Sequence, residues 1–176
     1  REIRQKLAAS VEIVIAVAPA LDAARLAAKF PADWRVRFVS NDAYNALAAA
    51  DLAIVSSGTA TVETALLGKP MMVIYRLSPL TAWLAKPLVK TKFFSMVNLI
   101  AGRAIVPELI QHDFTPQRVA SEVASLLSGS EESKARIAEM KHGLQEVQKL
   151  LGPPGAVDRA ADEIAKLLLG PKSNAN

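Results

Sequence analysis

Apolar and polar positions alternate in blocks along the first half of the chain, each block the length of one strand or one helix. Residues 12–18 (EIVIAVA) form a β-branched run closed by Pro19, and the Ala-rich residues 21–30 follow as a helix. Residues 36–39 make a short strand, 42–50 a second helix, and 52–56 (LAIVS) the next strand. Gly58 precedes a helix over 60–67, Gly68-Lys69-Pro70 stops it, and residues 71–75 (MMVIY) make a fourth strand. Apolar runs without polar alternation predict strands buried on both faces, with the intervening helices as cover. The pattern is that of an α/β fold, a doubly wound parallel sheet.

Beyond Tyr75 the rhythm changes. Residues 78–89 read as helical but contain Pro87, 92–102 read as irregular, and 104–106 read as a last short strand. Thr115-Pro116 marks a helix start, a capping hydroxyl followed by a proline whose absent N–H costs nothing in the first turn. That helix runs to residue 127. A second, from residue 130, sets Ile137, Met140, Leu144, Val147 and Leu151 on one stripe. Gly152-Pro153-Pro154-Gly155 breaks it, and 156–169 form a final amphipathic helix. The polar tail from Gly170 is expected to be disordered.

Composition sharpens this picture in three places. Half of the 176 residues (51%) are apolar but only 5% are aromatic, so Ala, Leu and Val must build the core. No cysteine is present, which removes disulfides, thiolate metal sites and a Cys nucleophile, and His112 and His142 alone cannot assemble a His-rich metal centre. The net charge of +4 has no accompanying cluster of Arg and aromatic residues, so there is no nucleic-acid footprint. No window approaches the ~18 uninterrupted apolar residues of a membrane-spanning helix. The chain starts at Arg1 without a signal-like apolar stretch, which reads as a cut within a longer protein.

Chemistry concentrates in Ile54-Val55-Ser56-Ser57-Gly58-Thr59-Ala60-Thr61-Val62-Glu63. A buried strand ends in small hydroxyl residues, turns on glycine and launches a helix. Free N–H groups near Thr59 to Thr61 would face outward from the carboxyl edge of the sheet, where donors and helix dipole favour an anion. Glu63 lies one turn in and leans back toward the same end, within reach of a ribose. An equally economical reading makes Ser57 or Thr59 a helix cap and Glu63 a favourably placed acid. Neither a Walker motif nor GxGxxG is present.

A second stretch, with Leu80, Trp83, Leu84, Leu88, Val89, Phe93 and Phe94 among Lys86, Lys90 and Lys92, suits a membrane interface or an acyl chain. A core helix with solvated lysines is the alternative. A third sets Asn98, Arg103, Glu108 and Gln111 in an apolar context where each needs a partner, structural or ligand. His112 and His142 read as surface residues.

The strings SSGTATVETALLGKPMMVIYRLSPLTAWLAKPLVK, NLIAGRAIVPELIQ, TPQRVASEVASLL and GAVDRAADEI resemble lipid-A-disaccharide synthase across most of residues 51–169. The family's SGTATLE motif stands here as Ser57 to Glu63 with Val62 for Leu, and its YRxSP as Tyr75-Arg76-Leu77-Ser78-Pro79. The resemblance implies the Rossmann-like half of a GT-B glycosyltransferase, with C-terminal helices. Residues 1–128 would be a truncated UDP-sugar-binding domain. Residues 129–169 would be helices of the same domain, or helices packing on the other half, and 170–176 a disordered tail.

It also implies inverting transfer of 2,3-diacylglucosamine from its UDP donor to 2,3-diacylglucosamine 1-phosphate, as a lipid A precursor forms. The enzyme would need no metal or other cofactor and would sit peripherally at the cytoplasmic face of the inner membrane of a Gram-negative bacterium, touching the bilayer through the 80–94 region. Ser57, Gly58, Thr59, Ala60 and Thr61 would hold the diphosphate and Glu63 the ribose. Arg76, Asn98, Arg103, Glu108 and Gln111 would contact the donor or shape its site. In one respect the chain departs from the family. Arg1-Glu2-Ile3 matches only the end of PGSRxxEI, so the Gly, Ser and Arg of that motif, the first strand and the acidic general base would lie outside it. The chain alone is then expected to be inactive. Another GT-B enzyme, such as the transferase completing the peptidoglycan lipid precursor or a UDP-GlcNAc 2-epimerase, is the near alternative, and a non-catalytic UDP-sugar-binding or membrane-associated module the distant one.

Overall fold

A computed structural model describes residues 1–7, 11–31, 34, 36–78 and 92–169. The described elements run α1 (Glu2–Leu7), β1 (Ile13–Val17), α2 (Ala23–Ala27), β2 (Val36–Ser40), α3 (Ala43–Ala49), β3 (Ala53–Ser56), α4 (Thr59–Leu66) and β4 (Met71–Tyr75). They continue with α5 (Met96–Ala101), β5 (Glu108–Ile110), a 3-10 turn (Gln111–Asp113), α6 (Pro116–Leu126), α7 (Glu131–Leu151) and α8 (Ala156–Leu169).

Every strand pairing is parallel, as the unbroken apolar runs require. The strands divide into two sheets, β1-β2 and β3-β4-β5, with no ladder joining β1 to β3 among the described residues. The α/β architecture therefore stands, but as two sheets instead of the continuous one expected. The larger sheet is covered on both faces. Ala53, Val55, Met71 and Val73 face one core with Ala65 of α4, Val97 of α5, and Met140, Leu144 and Val147 of α7. Met72 and Leu109 face the other with Val119 and Val123 of α6, and Ile3 of α1 packs at its margin. Met71, Met72 and Val73 are fully buried, which explains why three consecutive apolar residues stand in β4.

Caps set the helix starts. Thr115 accepts from the Arg118 amide with Pro116 in the first turn of α6, and Ser130 accepts from the Ser133 amide at the start of α7. The predicted α7 stripe enters the core through Met140, Leu144 and Val147, while Ile137 is half-buried and Leu151 exposed. Gly143 is the tightest contact: a Cβ there would lie 2.7 Å from Ile105. By contrast, α8 packs nothing away, since all its described side chains are exposed.

Two expectations need correction. Residues 92–102 are not irregular throughout, because Ser95 caps α5 by accepting from the Asn98 amide. The last strand is Glu108–Ile110 and not 104–106, since the Ile105 and Val106 amides are taken by the Asn98 side chain instead of a ladder. Helix α1 has no counterpart in the sequence reading. The 79–91 stretch and the tail from Gly170 lie outside the described residues, so the expectations placed on them are not addressed.

Candidate functional site

The turn after β3 is built by geometry that only glycine adopts readily. The Ser57 amide extends the ladder by donating to Ile74 O (3.1 Å), and the chain then swings through Gly58 at φ 149°, ψ −163°. A Cβ on Gly58 would meet nothing within 4 Å among the described residues, so the glycine answers a backbone requirement and not a steric one. Helix α4 starts there with no side-chain cap. The Thr61 amide turns back to Gly58 O (3.1 Å), while those of Thr59 and Ala60 fall in the first turn, where a helix offers no acceptor. The positive end of the helix dipole is therefore left without a side-chain cap.

The side chains around this turn separate into two kinds. Glu63 is exposed and makes no hydrogen bond or ion pair among the described residues. Thr59 is also exposed and Ala60 half-buried. Thr61 is a correction: its fully buried hydroxyl donates to Gly58 O (2.7 Å), as that of Thr64 does to Ala60 O (2.7 Å). The hydroxyl is spent within the turn, which it stiffens. Ser57 is no cap either: α4 has no side-chain cap bond, and the Ser57 hydroxyl donates to Phe94 O (2.8 Å).

The second group of candidates is largely occupied. Asn98 is 1% exposed and uses both ends of its amide: Nδ2 donates to Val106 O (2.9 Å) and Glu108 Oε1 (2.7 Å), while Oδ1 accepts from Ile105 N (2.8 Å) and Val106 N (3.0 Å). Glu108 accepts from Phe94 N, Ser95 N and Ser95 Oγ as well. Asn98 thus pins the 105–106 loop and is closed to a ligand. Gln111, at φ 54°, accepts from Leu77 N (2.8 Å) and ties the segment after β4 to the end of β5. Arg76 donates to Phe114 O and lies over the Phe114 ring, 5.1 Å from its centroid.

Arg103 points away to α7, where it donates to Glu146 (2.7 Å). That hydrogen bond, with the charges of Arg103, His142 and Lys149, holds the Glu146 carboxyl below its ordinary range against a counteracting desolvation. The sequence reading missed Ser95, which is fully buried and bonded to Glu108. The signal was there in its spacing, three residues before Asn98, as helix caps stand. An open groove of about 410 Å³ on α6, lined by Leu109, Gln117, Arg118, Ser121, Glu122 and Ser125, contains none of the candidates. Among the described residues no three His, Asp or Glu side chains gather as metal ligands, and no helix is long and apolar enough to cross a membrane.

Comparison with known proteins gives this turn a context. The sequence model of lipid-A-disaccharide synthetase matches residues 1–152. The chain belongs to the lipid-A-disaccharide synthetase family. A lipid-A-disaccharide synthase of Myxococcus xanthus is 36% identical over 160 residues, covering 90% of this chain and 40% of its own length. One of Anaeromyxobacter dehalogenans is 43% identical over 155 residues, covering 87% and 39%, and one of Solibacter usitatus 47% identical over 137, covering 77% and 35%. The chain thus spans about two fifths of the length of these lipid-A-disaccharide synthases. A solved structure from work on EarP-mediated arginine glycosylation of translation elongation factor EF-P covers 97% of this chain and 56% of its own, at a TM-score of 0.44 and 15% identity, a likeness too loose to bear on function. Within the lipid-A-disaccharide synthetase match, residues 1–152 include the whole turn from Ser57 to Glu63 and the Asn98–Glu108 cluster, but not α8.

Proposed function

We propose that this chain is the nucleotide-sugar-binding part of a glycosyltransferase of lipid A synthesis. The donor would be UDP-2,3-diacylglucosamine and the acceptor 2,3-diacylglucosamine 1-phosphate, with displacement at the anomeric carbon and inversion. The observation that carries the reading is the uncapped α4 start at Gly58, flanked by an exposed Glu63 whose carboxylate has no partner among the described residues. Amides of Thr59 and Ala60 would bind the diphosphate and stabilise the charge that grows on it as the glycosidic bond breaks. Glu63, one turn along, would accept the ribose hydroxyls. No base for the acceptor hydroxyl is assigned here, and we place it in the part of the relatives' length that this chain does not span.

Arg76, Gln111 and Asn98 contribute by holding the loops around the turn, and Arg103 by anchoring α7. Both proposed substrates carry acyl chains, which fits a peripheral position at the inner membrane. Exposed Phe94, Met96 and Leu99 leave apolar surface beside Ser57 that suits such substrates. The test is donor kinetics of Glu63→Ala in the intact protein. A rise in donor KM or fall in kcat of about tenfold, the worth of one charge-assisted hydrogen bond, is expected. Unchanged donor kinetics would remove Glu63 from the site.

A further inference from the structure

Glu108 sits at the head of β5, paired with Val73 of the buried central strand, so its backbone is among the most firmly placed in the molecule. Its carboxylate is surrounded by donors alone. Oε2 accepts from Phe94 N (2.9 Å), and Oε1 from Ser95 N (2.9 Å), Ser95 Oγ (2.7 Å) and Asn98 Nδ2 (2.7 Å). Across the same peptide, Phe94 O accepts from Ser57 Oγ at 2.8 Å. The 94–95 peptide is therefore gripped from both sides, its carbonyl by the residue before Gly58 and its N–H by the sheet-anchored carboxylate.

We propose that Glu108 is a positioning residue for the nucleotide site, acting through the 94–95 peptide and Ser57 rather than on the ligand. The inference rests on the reading of the Gly58–Glu63 turn as that site. Three donors converge on Oε1 and a fourth holds Oε2, so the carboxylate is committed to the backbone of Phe94 and Ser95 and to Asn98. In that way it fixes one wall of the turn. Phe94, a residue 40% exposed, meets the turn through its carbonyl at Ser57, the residue before Gly58. The same device ties Phe94 and Ser95 to the Ser57 turn. Only a carboxylate satisfies this arrangement. An amide in its place must turn its NH2 toward a donor, and the cheaper orientation gives up the Phe94 N–H alone.

The experiment is a double-mutant cycle in the intact protein with Ser57→Ala, Glu108→Gln and the pair. UDP affinity would be read by calorimetry and amide hydrogen exchange over residues 92–98. Each single variant is expected to weaken UDP about tenfold, the cost of a small misplacement next to the ligand. Each should also speed exchange over 92–98, and the pair should be no weaker than either single. Ser95→Ala, which removes one donor and keeps the carboxylate, replaces Glu108→Gln in the cycle should that variant fail to fold. Independent, multiplying losses would mean that Ser57 contacts the ligand itself and would overturn the proposal. Faster exchange over 92–98 with unchanged UDP affinity would reduce Glu108 to a structural tie and overturn it as well. Absence of UDP binding by the unsubstituted protein would take away the nucleotide site and the positioning role together.

Discussion

Two polar clusters lie within reach of one another and are drawn from the same residue types, yet they are treated in opposite ways. Around Asn98 and Glu108 every buried donor and acceptor is matched, and among the described residues no buried side-chain polar atom is left without a partner. At the Gly58 turn the helix start has no side-chain cap, and Glu63 stands exposed and unpaired among the described residues. A folded chain tolerates unpaired polar groups only where water or a ligand can reach them. The first cluster therefore spends its hydrogen bonds on shape, and the second leaves its polar groups to solvent or, in the proposed reading, to a nucleotide. The two meet at Ser57, which belongs to the turn by position and to the Glu108 cluster by its hydrogen bond.

Substitutions should break that contrast in graded fashion. The largest effect is expected at Asn98→Ala, which leaves the Ile105 and Val106 amides buried without their acceptor. A loss of about 3 kcal/mol or more in urea denaturation is the forecast, and a loss under about 1 kcal/mol would show that the loop finds other partners. Next is Gly58→Ala, which forces a side chain onto a backbone that excludes it. About 1–3 kcal/mol should go, although the added methyl meets none of the described residues within 4 Å. Glu63→Ala should stay within about 0.5 kcal/mol of the parent, because its exposed carboxylate bonds none of the described residues. A larger loss would make it structural.

Smallest of all is Glu146→Gln on the exposed Arg103 pair. The Glu146 pKa is lowered on folding, so its contribution is present above its ordinary value of 4.5 and disappears as pH falls through the lowered value. Thermal melts of parent and variant should differ slightly near neutral pH and converge in acid. Divergence growing in acid would contradict the assignment.

The sequence foretold the elements that burial alone dictates. Unbroken apolar runs located β3 and β4, and the 3-4 stripe of α7 located Met140, Leu144 and Val147 in the core. It failed where polar side chains replace backbone ladders. Asn98 captures two amides that periodicity assigned to a strand, and the six residues of α5 are too few to show a helical period. The turn from Ser57 to Glu63 was legible as a strand–glycine–helix string, but the inward rotation of Thr61 was not. Thr64 one turn on takes the same back-bonded pose, a choice made by burial that neighbouring residues do not announce. Likewise, α8 and α7 are both amphipathic in sequence, yet only α7 is packed, since periodicity names a face without naming what covers it.

The central claim is that the turn at Gly58 receives a nucleotide, and one titration addresses it most directly. UDP would be added by calorimetry, without metal, to the intact protein and to its Gly58→Val variant, each first shown to be folded. Saturable binding by the parent that is lost in the variant is the predicted result. Equal binding by both would place the nucleotide elsewhere and contradict the account.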